Sequence, residues 1–578
     1  MNLRSLTFAS LALVAGCDDP PKVTFSDATF GTDAVDVPPT PPGQACGVNE
    51  QGEPLGGCSG GQYCVPPEEG FPNGYCAPDC RAAPCPTGSV CYPSSASRHY
   101  CLRGCERDSD CRMREGYVCR VWNPGSYPSC LPNDEPVGRR NGGPCYASEG
   151  DAGVGPFLAP LPAMTFTAPS VSVSREGFGT LSEAEASLAI APTSGTAVLA
   201  FMGVDGHERW RGGFARIASD GTVGAPATLH DFDFPDVLQP SVAFDRSGRL
   251  HVVYVANNPD IPGNALRHAA SADQGATFER ARSVLTSVAC GLACAAPAVA
   301  VGPDGAGEAV YAGTIAGPRD GSGALIVARM AVDGTAFDPS TTLSAREIVG
   351  QQRRAPGIAA LTAGPASGEV VAAWVMRNLD NALAGLGDPV NRVRVRSSSD
   401  GGRTWGTEED ITRAGDAPVA HVPWVARAHG VTHVVYVTGG LLGAWDVVLA
   451  TRRDGESTWR HRVVNDDPDR CATHGFTGLA IDSATGDAHV AWIDGRFAAA
   501  VVAYARCPAD STQRCTRNEA VSSTGFVLST AADPMRWHGT RSALALGADG
   551  TLLAAWSDSR TGGPGVYLAR GRALTASR

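Results

Sequence analysis

The stretch "VRVRSSSDGGRTWGTEEDI", Val393–Ile411, decides the fold. Apolar and polar residues alternate through Val393 and Val395, break at an acidic turn rich in glycine, and resume beyond Trp405. Alternation with a period of two, interrupted by Asp and Gly, marks two strands joined by a turn. The same pattern stands at "LRHAASADQGATFERARSVL", Leu266–Leu285. Ahead of each such pair comes a more apolar hairpin, as in "PSVAFDRSGRLHVVYV" (Pro240–Val255) and "TGLAIDSATGDAHVAWID" (Thr477–Asp494). Five further copies begin at Ala186, Pro297, Pro356, Pro423 and Ser542. Seven units of roughly 60 residues, each with four short strands, predict an all-β chain built as a β-propeller, in which radial repetition removes long exposed edges. Six blades is the other count the spacing admits. The last unit, ending "VYLARGRALTASR", is one strand short, and "TFTAPSVSVS", Thr165–Ser174, is expected to supply it and close the ring.

Ser398, Asp400, Gly402, Thr404 and Trp405 match the Asp-box pattern of the sialidase (neuraminidase) and BNR-repeat superfamily, which this part of the chain resembles. Ser271, Asp273, Gly275, Thr277 and Phe278 make a second copy, and the stretches around Asp454 with Trp459 and Asp333 with Phe337 are degenerate ones. Within such a turn the carboxylate accepts backbone N–H bonds, glycine allows positive φ, and the aromatic packs between blades. The resemblance implies a structural role for these acids, between the third and fourth strands of a blade and away from any substrate.

Composition narrows the setting. The 578 residues carry 69 Gly and 42 Pro with 43% hydrophobic residues, which suits short strands and turns. The net charge is −12, from 47 basic and 59 acidic residues, and Lys22 is the sole lysine. No basic stripe is present, which disfavours nucleic acid as a partner. "MNLRSLTFASLALVAGC" has a basic start, an apolar core from Leu6 to Val14 and small residues before Cys17. It reads as a cleaved signal rather than a membrane span. Leu13–Cys17 resembles a bacterial lipobox, which implies lipidation at Cys17 and an anchor in the cell envelope, at the outer membrane or cell surface. Residues 18–45, rich in Asp and Pro, read as an extended tether.

Thirteen of the 19 cysteines fall between Cys46 and Cys145, the density of a disulfide framework. Twelve form three groups of four: Cys46, Cys58, Cys64, Cys76; Cys80, Cys85, Cys91, Cys101; and Cys105, Cys111, Cys119, Cys130. Their connectivity cannot be read from spacing. Zinc is disfavoured, because paired C-x-x-C knuckles are absent and His99 is the one histidine there, so no metal or cofactor is expected. "CERDSDCRMREGYVC", Cys105–Cys119, resembles the short Cys-rich modules common in secreted proteins of myxobacteria-like organisms, and that resemblance implies no activity. Beyond a linker at 146–163, Cys507 is expected to pair with Cys515, Cys290 with Cys294, and Cys145 with Cys471.

The face opposite the Asp-boxes is where a cleft is expected. Two of its loops carry Trp492 to Arg496, with Asp494, and Trp556 to Arg560, with Asp558; Trp374 to Arg377 is a weaker relative. The three tryptophans are expected to pack between blades. Connections between blades add Arg353, Arg354, Asp466, Asp467, Arg470, His474, Arg536, Trp537, His538 and Arg541. Guanidinium pairs beside a flat aromatic, as in "MRWHGTR", suit an acidic sugar, whereas repeated Asp/Arg pairs also arise as repeated structural salt bridges. Active sialidases use three arginines, a tyrosine nucleophile with a glutamate, and an aspartate acid/base. The Arg-Ile-Pro motif bearing the first arginine is absent here, Tyr254 and Tyr436 close second strands with packing an equal explanation, and Glu183 and Glu185 have no assignable partner. No catalytic set assembles. The sequence therefore points to a lipid-anchored surface protein, expected to act as a monomer, that binds a glycan or an envelope protein without catalysis. A divergent exo-sialidase or other glycoside hydrolase, and a purely structural envelope scaffold, are the rivals.

Overall fold

The computed structural model describes residues 44–132 and 165–572, apart from internal stretches that include 66–70, 106–109, 112–116, 121–128, 174–182, 381–389, 467–473, 496–499, 524–541 and 559–564. The chain divides into two units, Met1–Thr40 and Pro41–Arg578. The expected signal, Cys17, most of the tether, the linker and the Cys145–Cys471 pair lie outside the described residues. Among the described residues no helix is long and apolar enough to cross a membrane.

From Glu183 onward the strands form seven antiparallel sheets in chain order, so the protein is a seven-bladed β-propeller. Blade 1 comprises Glu183–Ile190, Ala197–Val204, Trp210–Ile217 and Ala227–Leu229. Blade 2 comprises Asp236–Phe244, Leu250–Asn257, Asn264–Ser271 and Arg282–Leu285. Blade 3 is built from Ala293–Pro303, Glu308–Gly317, Ala324–Ala331 and Thr341–Ser344. Blade 4 has Gln352–Ala363, Val370–Asn378, Arg392–Ser398 and Glu409–Asp410, and adds a short fifth strand, Glu347–Val349, hairpinned onto the first. Blade 5 runs Trp424–Ala428, Val431–Gly439, Trp445–Arg453 and Arg460–Val463. Blade 6 runs His474–Ile481, Ala488–Asp494, Val501–Cys507 and Glu519–Ala520. Blade 7 takes Ala543–Leu546, Thr551–Asp558 and Gly565–Arg572 from the end of the chain and Val171–Ser172 from before blade 1.

That last pairing closes the ring as the sequence suggests. Val173 N–H donates to Val566 O at 2.9 Å, and Arg572 N–H donates to Thr165 O at 3.1 Å. Thr165 N–H in turn donates to the buried Glu519 carboxylate of blade 6 at 2.7 Å. Second strands, covered on both faces, are continuous apolar runs such as "LHVVYVAN" and are buried almost throughout. First strands of adjacent blades come closer still. A side chain at Gly478 would meet Ser542 O of the next blade at 2.6 Å, which is why blade 6 has no β-carbon there.

In five blades the first strand shifts register near its start: between Ala184 and Ser187, Leu238 and Ser241, Ala295 and Ala298, Pro356 and Ala359, and Gly475 and Gly478. These bulges stitch neighbours together. Ser187 Oγ accepts from Val242 N at 3.1 Å, and Gln239 Oε1 accepts from Ala296 N at 3.0 Å.

Each of the three cysteine groups joins its first member to the third and its second to the fourth: Cys46–Cys64 and Cys58–Cys76, Cys80–Cys91 and Cys85–Cys101, Cys105–Cys119 and Cys111–Cys130. Third and fourth cysteines face one another across a two-stranded hairpin, at Cys64 and Cys76, Cys91 and Cys101, and Cys119 and Cys130. The segment before each hairpin is thereby pinned to both strands. Tyr75, Tyr100 and Tyr117, one from each group, share a small buried core, and Tyr75 Oη accepts from Arg103 N at 2.8 Å.

Candidate functional site

Strand order fixes two faces. In each blade the turn from first to second strand and the loop from third to fourth share one face; the second-to-third loops and the blade-to-blade connections share the other.

On the first face stand the four acidic turns, at Asp273, Asp333, Asp400 and Asp454, all between third and fourth strands. Asp400 accepts from Ser398 Oγ (2.8 Å), Thr404 N (2.9 Å) and Thr404 Oγ1 (2.6 Å), while Ser398 Oγ accepts from Gly402 N (2.8 Å). Asp273 repeats this with Ser271, Thr277 and Gly275. The Thr404 and Thr277 hydroxyls, with the backbone and serine donors, hold both carboxyls down at about 2. Gly402 adopts φ +75° and presses on Tyr311 of blade 3, where any side chain would crowd the ring. The turn aromatics reach back one blade: Phe278 packs on Phe214 at 4.7 Å, Phe337 on His268 at 5.5 Å, and Trp459 Nε1 donates to Glu409 at 3.4 Å. The Asp273 and Asp400 carboxylates are thus spent within their own turns, while Arg403, Gln274 and Trp459 reach neighbouring blades.

Tyr254 and Tyr436 lie inside second strands, each followed by three more strand residues, and are buried. Tyr254 donates to Asp231 at 2.6 Å, and Arg267 grips the same carboxylate through Nε at 3.0 Å while reaching Asp233 at 2.9 Å. Tyr436 donates to Asp416 at 2.7 Å, itself held by Arg413 Nε at 2.9 Å. Burial first, then the neighbouring carboxylate, pushes both phenols up, so they remain neutral donors. The two constellations occupy equivalent places, each with its Asp on the connection entering the blade. The repeated "HVVYV" at His251–Val255 and His433–Val437 is the sequence signal for them.

The connection face differs in character. Phe232, between blades 1 and 2, is 90% exposed; Val288, between blades 2 and 3, is 87% exposed; Ile348 and Val349, between blades 3 and 4, are 67% and 45% exposed. Three successive connections thus each hold large apolar side chains in solvent. Sequence reading passed over them because a lone apolar residue in a loop carries no periodic signal. Arg353 stands opposite Ile348 in the blade 4 hairpin, exposed, with Nε 2.6 Å from Asp380. Hydrogen bonds from Arg353, its backbone N–H foremost, hold Asp380 below the usual carboxylate range.

The other expected site residues separate. Arg354 is buried and lies 3.4 Å from Glu347, which Arg394 also binds, at 2.8 Å. Asp494 is fully buried in blade 6, accepts from Trp492 Nε1 at 3.1 Å and lies 3.5 Å from His474. Asp558 ends a strand of blade 7 opposite Gly565. Trp374, Trp492 and Trp556 are buried, together with Trp445 of blade 5, which sequence reading missed. Arg470, Arg496, Arg536, Trp537, Arg541 and Arg560, like Asp467 and His538, lie outside the described residues. Cys290 joins Cys294, next to Val288, and Cys507 joins Cys515. Among the described residues, the cysteine triples close enough to share an ion consist of cysteines already in disulfides.

No protein-family profile matches the chain, and no curated protein matches it. Solved structures do match. The chain is similar to a Hadza microbial sialidase at 16% identity and a TM-score of 0.40, covering 63% of this chain and 73% of that one. It is similar to Trypanosoma rangeli sialidase at 12% and 0.37, covering 61% of this chain and 56% of that one. The GH93 alpha-L-arabinofuranosidase of Fusarium graminearum, in complex with arabinobiose, aligns at 11% and 0.37, over 71% of this chain and 98% of that one. The propeller assignment itself rests on the strand pairing of this chain.

Proposed function

We propose that the protein is a cell-envelope lipoprotein whose sialidase-like propeller binds a glycan or protein ligand, without catalysis, on its connection face. The observation that carries this reading is the exposure of Phe232, Val288, Ile348 and Val349 on three successive connections of one face. Exposed apolar side chains grouped on one face are the usual mark of a contact surface. Support also comes from the opposite face, where the Asp273 and Asp400 carboxylates are bonded within their own turns, and from Tyr254 and Tyr436, whose hydroxyls are already committed to Asp231 and Asp416. Lipidation at Cys17 would hold this surface at the envelope.

The test pairs a glycan array with a pull-down from envelope fractions, using the native chain and a Phe232→Ser, Ile348→Ser double variant. Binding weakened at least tenfold in the variant is the expected outcome. A fluorogenic sialoside and a small glycoside panel run alongside. Turnover lost on changing one residue of the connection face would replace this reading with a glycoside hydrolase, and blanks in every assay would favour an envelope scaffold.

A further inference from the structure

Three connections of one face each hold large apolar side chains in water, and each does so on backbone that is tied on both sides. Phe232 sits at the apex of a turn in which Asp231 Oδ1 accepts from Asp233 N at 3.0 Å. Arg267 binds Asp231 at 3.0 Å and Asp233 at 2.9 Å, and Asn258 Nδ2 donates to Asp233 O at 3.0 Å. Both chain neighbours of Phe232 are therefore fixed. Val288 lies in a turn where Cys290 N–H donates to Thr286 O at 2.9 Å and Ala289 N–H donates to Thr286 Oγ1 at 3.3 Å. The Cys290–Cys294 disulfide, both of its residues buried, ties that turn to the first strand of blade 3. Ile348 and Val349 stand on a hairpin whose Glu347 is held by Arg354 at 3.4 Å and by Arg394 at 2.8 Å. On its other strand Arg353 donates to Asp380 through backbone N and through Nε, each at 2.6 Å. An apolar side chain on a free loop folds inward to leave water. Three unrelated devices, a carboxylate cage, a disulfide and an ion-paired hairpin, prevent that here.

We propose that these projections form one preorganised docking surface for a folded protein, whose apolar pockets receive Phe232, Val288 and the Ile348–Val349 pair and whose acidic side chains meet Arg346. The inference rests on the connection face being the contact surface, and it narrows the partner's chemistry. A sugar is held through hydrogen bonds to its hydroxyls and against flat aromatic rings. Three of the four exposed apolar residues are aliphatic, and the carboxylates beside them are already bound: Asp231 and Asp233 by Arg267, Glu347 by Arg354 and Arg394, Asp380 by Arg353. A bilayer fits less well, because Asp233 stays half exposed beside Phe232 and the chain carries −12 overall, charge that anionic headgroups repel. Arg346 supplies the remaining feature. It is exposed at the entry to the hairpin, makes no ion pair among the described residues and attracts Asp380 only at longer range, so the charge left for a partner there is positive. Side chains already held in the bound geometry lose little freedom on association, which concentrates affinity in a few anchors.

The test places photoreactive p-benzoylphenylalanine at Phe232, Val288 or Ile348 of the full chain, in the cells that make it, and identifies what is captured by mass spectrometry. One and the same protein captured from all three positions is the expected result. That protein, purified, should bind the native chain with an affinity that Phe232→Ser, Val288→Ser and Ile348→Ser each reduce by about tenfold or more. The Cys290→Ser, Cys294→Ser double variant keeps Val288 and should still lose about tenfold, because the anchor is no longer held out. Should that variant fail to fold, amide exchange of Ala289 and Cys290 in the native chain decides the rigidity: protection supports it, and exchange at the free-peptide rate overturns it. Arg346→Glu should weaken binding about tenfold at low salt and less at high salt. Capture of a different protein from each position, of lipid or of nothing overturns the proposal, as does unchanged affinity in a folded disulfide variant. Sedimentation with vesicles of phosphatidylethanolamine and phosphatidylglycerol that Phe232→Ser abolishes would assign the surface to a bilayer instead. Anchor-dependent binding on a glycan array with no captured protein would overturn the protein partner and leave the broader reading of this face standing, whereas blanks in every arm would end both.

Discussion

Tyr254 carries the difference between a reactive and a structural tyrosine in its surroundings. Its hydroxyl donates to Asp231, and the charge of Asp231 is matched by Arg267, both side chains being almost wholly buried. Asp231→Asn would leave Arg267 with the half-exposed Asp233 as its remaining carboxylate and should cost about 3 kcal/mol. Tyr254→Phe removes one hydrogen bond from a carboxylate that keeps its arginine and should cost about 1 kcal/mol. Urea unfolding of both variants checks the order, and a larger loss for Tyr254→Phe would contradict the pairing described. The acidic turns give a second prediction at this scale. Asp273 and Asp400 sit at about 2 in the folded chain, below the ordinary carboxylate value. Depressed values mean stability present above about pH 4 and lost as pH falls toward about 2. The stability gap between the native chain and Asp400→Ala should hold constant from pH 7 to 5 and shrink between pH 4 and 3.

At the scale of the element, what the sequence disclosed is what repeats. The apolar hairpins and the acidic turns recur seven and four times in the reading, and their positions between strands follow from that recurrence. The fifth strand of blade 4, Glu347–Val349, was not legible because a short exposed strand lacks alternation. Asp494 was read as a rim residue from its place beside Arg496, yet its burial depends on His474 and Trp492, contacts that no local pattern encodes. In blade 6 the third-to-fourth loop has no aromatic turn, and the Cys507–Cys515 bridge spans it, with Asp510 accepting from Thr512 N at 3.0 Å. The disulfide thus occupies the position that an acidic turn fills in blades 2 and 4. Removing it with Cys507→Ala and Cys515→Ala should cost about 2.5 kcal/mol from the lost restraint on so short a loop. Exchange should quicken first at Glu519–Ala520; an equal loss in every blade would argue against a local role.

For the whole molecule, the ring joins two ends of a linear array. Each blade packs on its neighbours, so an open array behaves as a row of units whose terminal members have one neighbour apiece. Val171–Ser172 converts that row into a ring by pairing with Gly565–Arg572, and Val173 N–H to Val566 O extends the join. Val173→Pro deletes this donor and forbids the ladder geometry, leaving the outer edge of Gly565–Arg572 unpaired. Blades 7 and 1 would then become ends, whereas blades 3 and 4 would keep both neighbours. Exchange should therefore accelerate at Gly565–Arg572 and Glu183–Ile190 well before it does at Gln352–Ala363. If the variant instead loses protection uniformly around the ring, the seven blades unfold as one cooperative body, and the closing strand contributes to all of them alike.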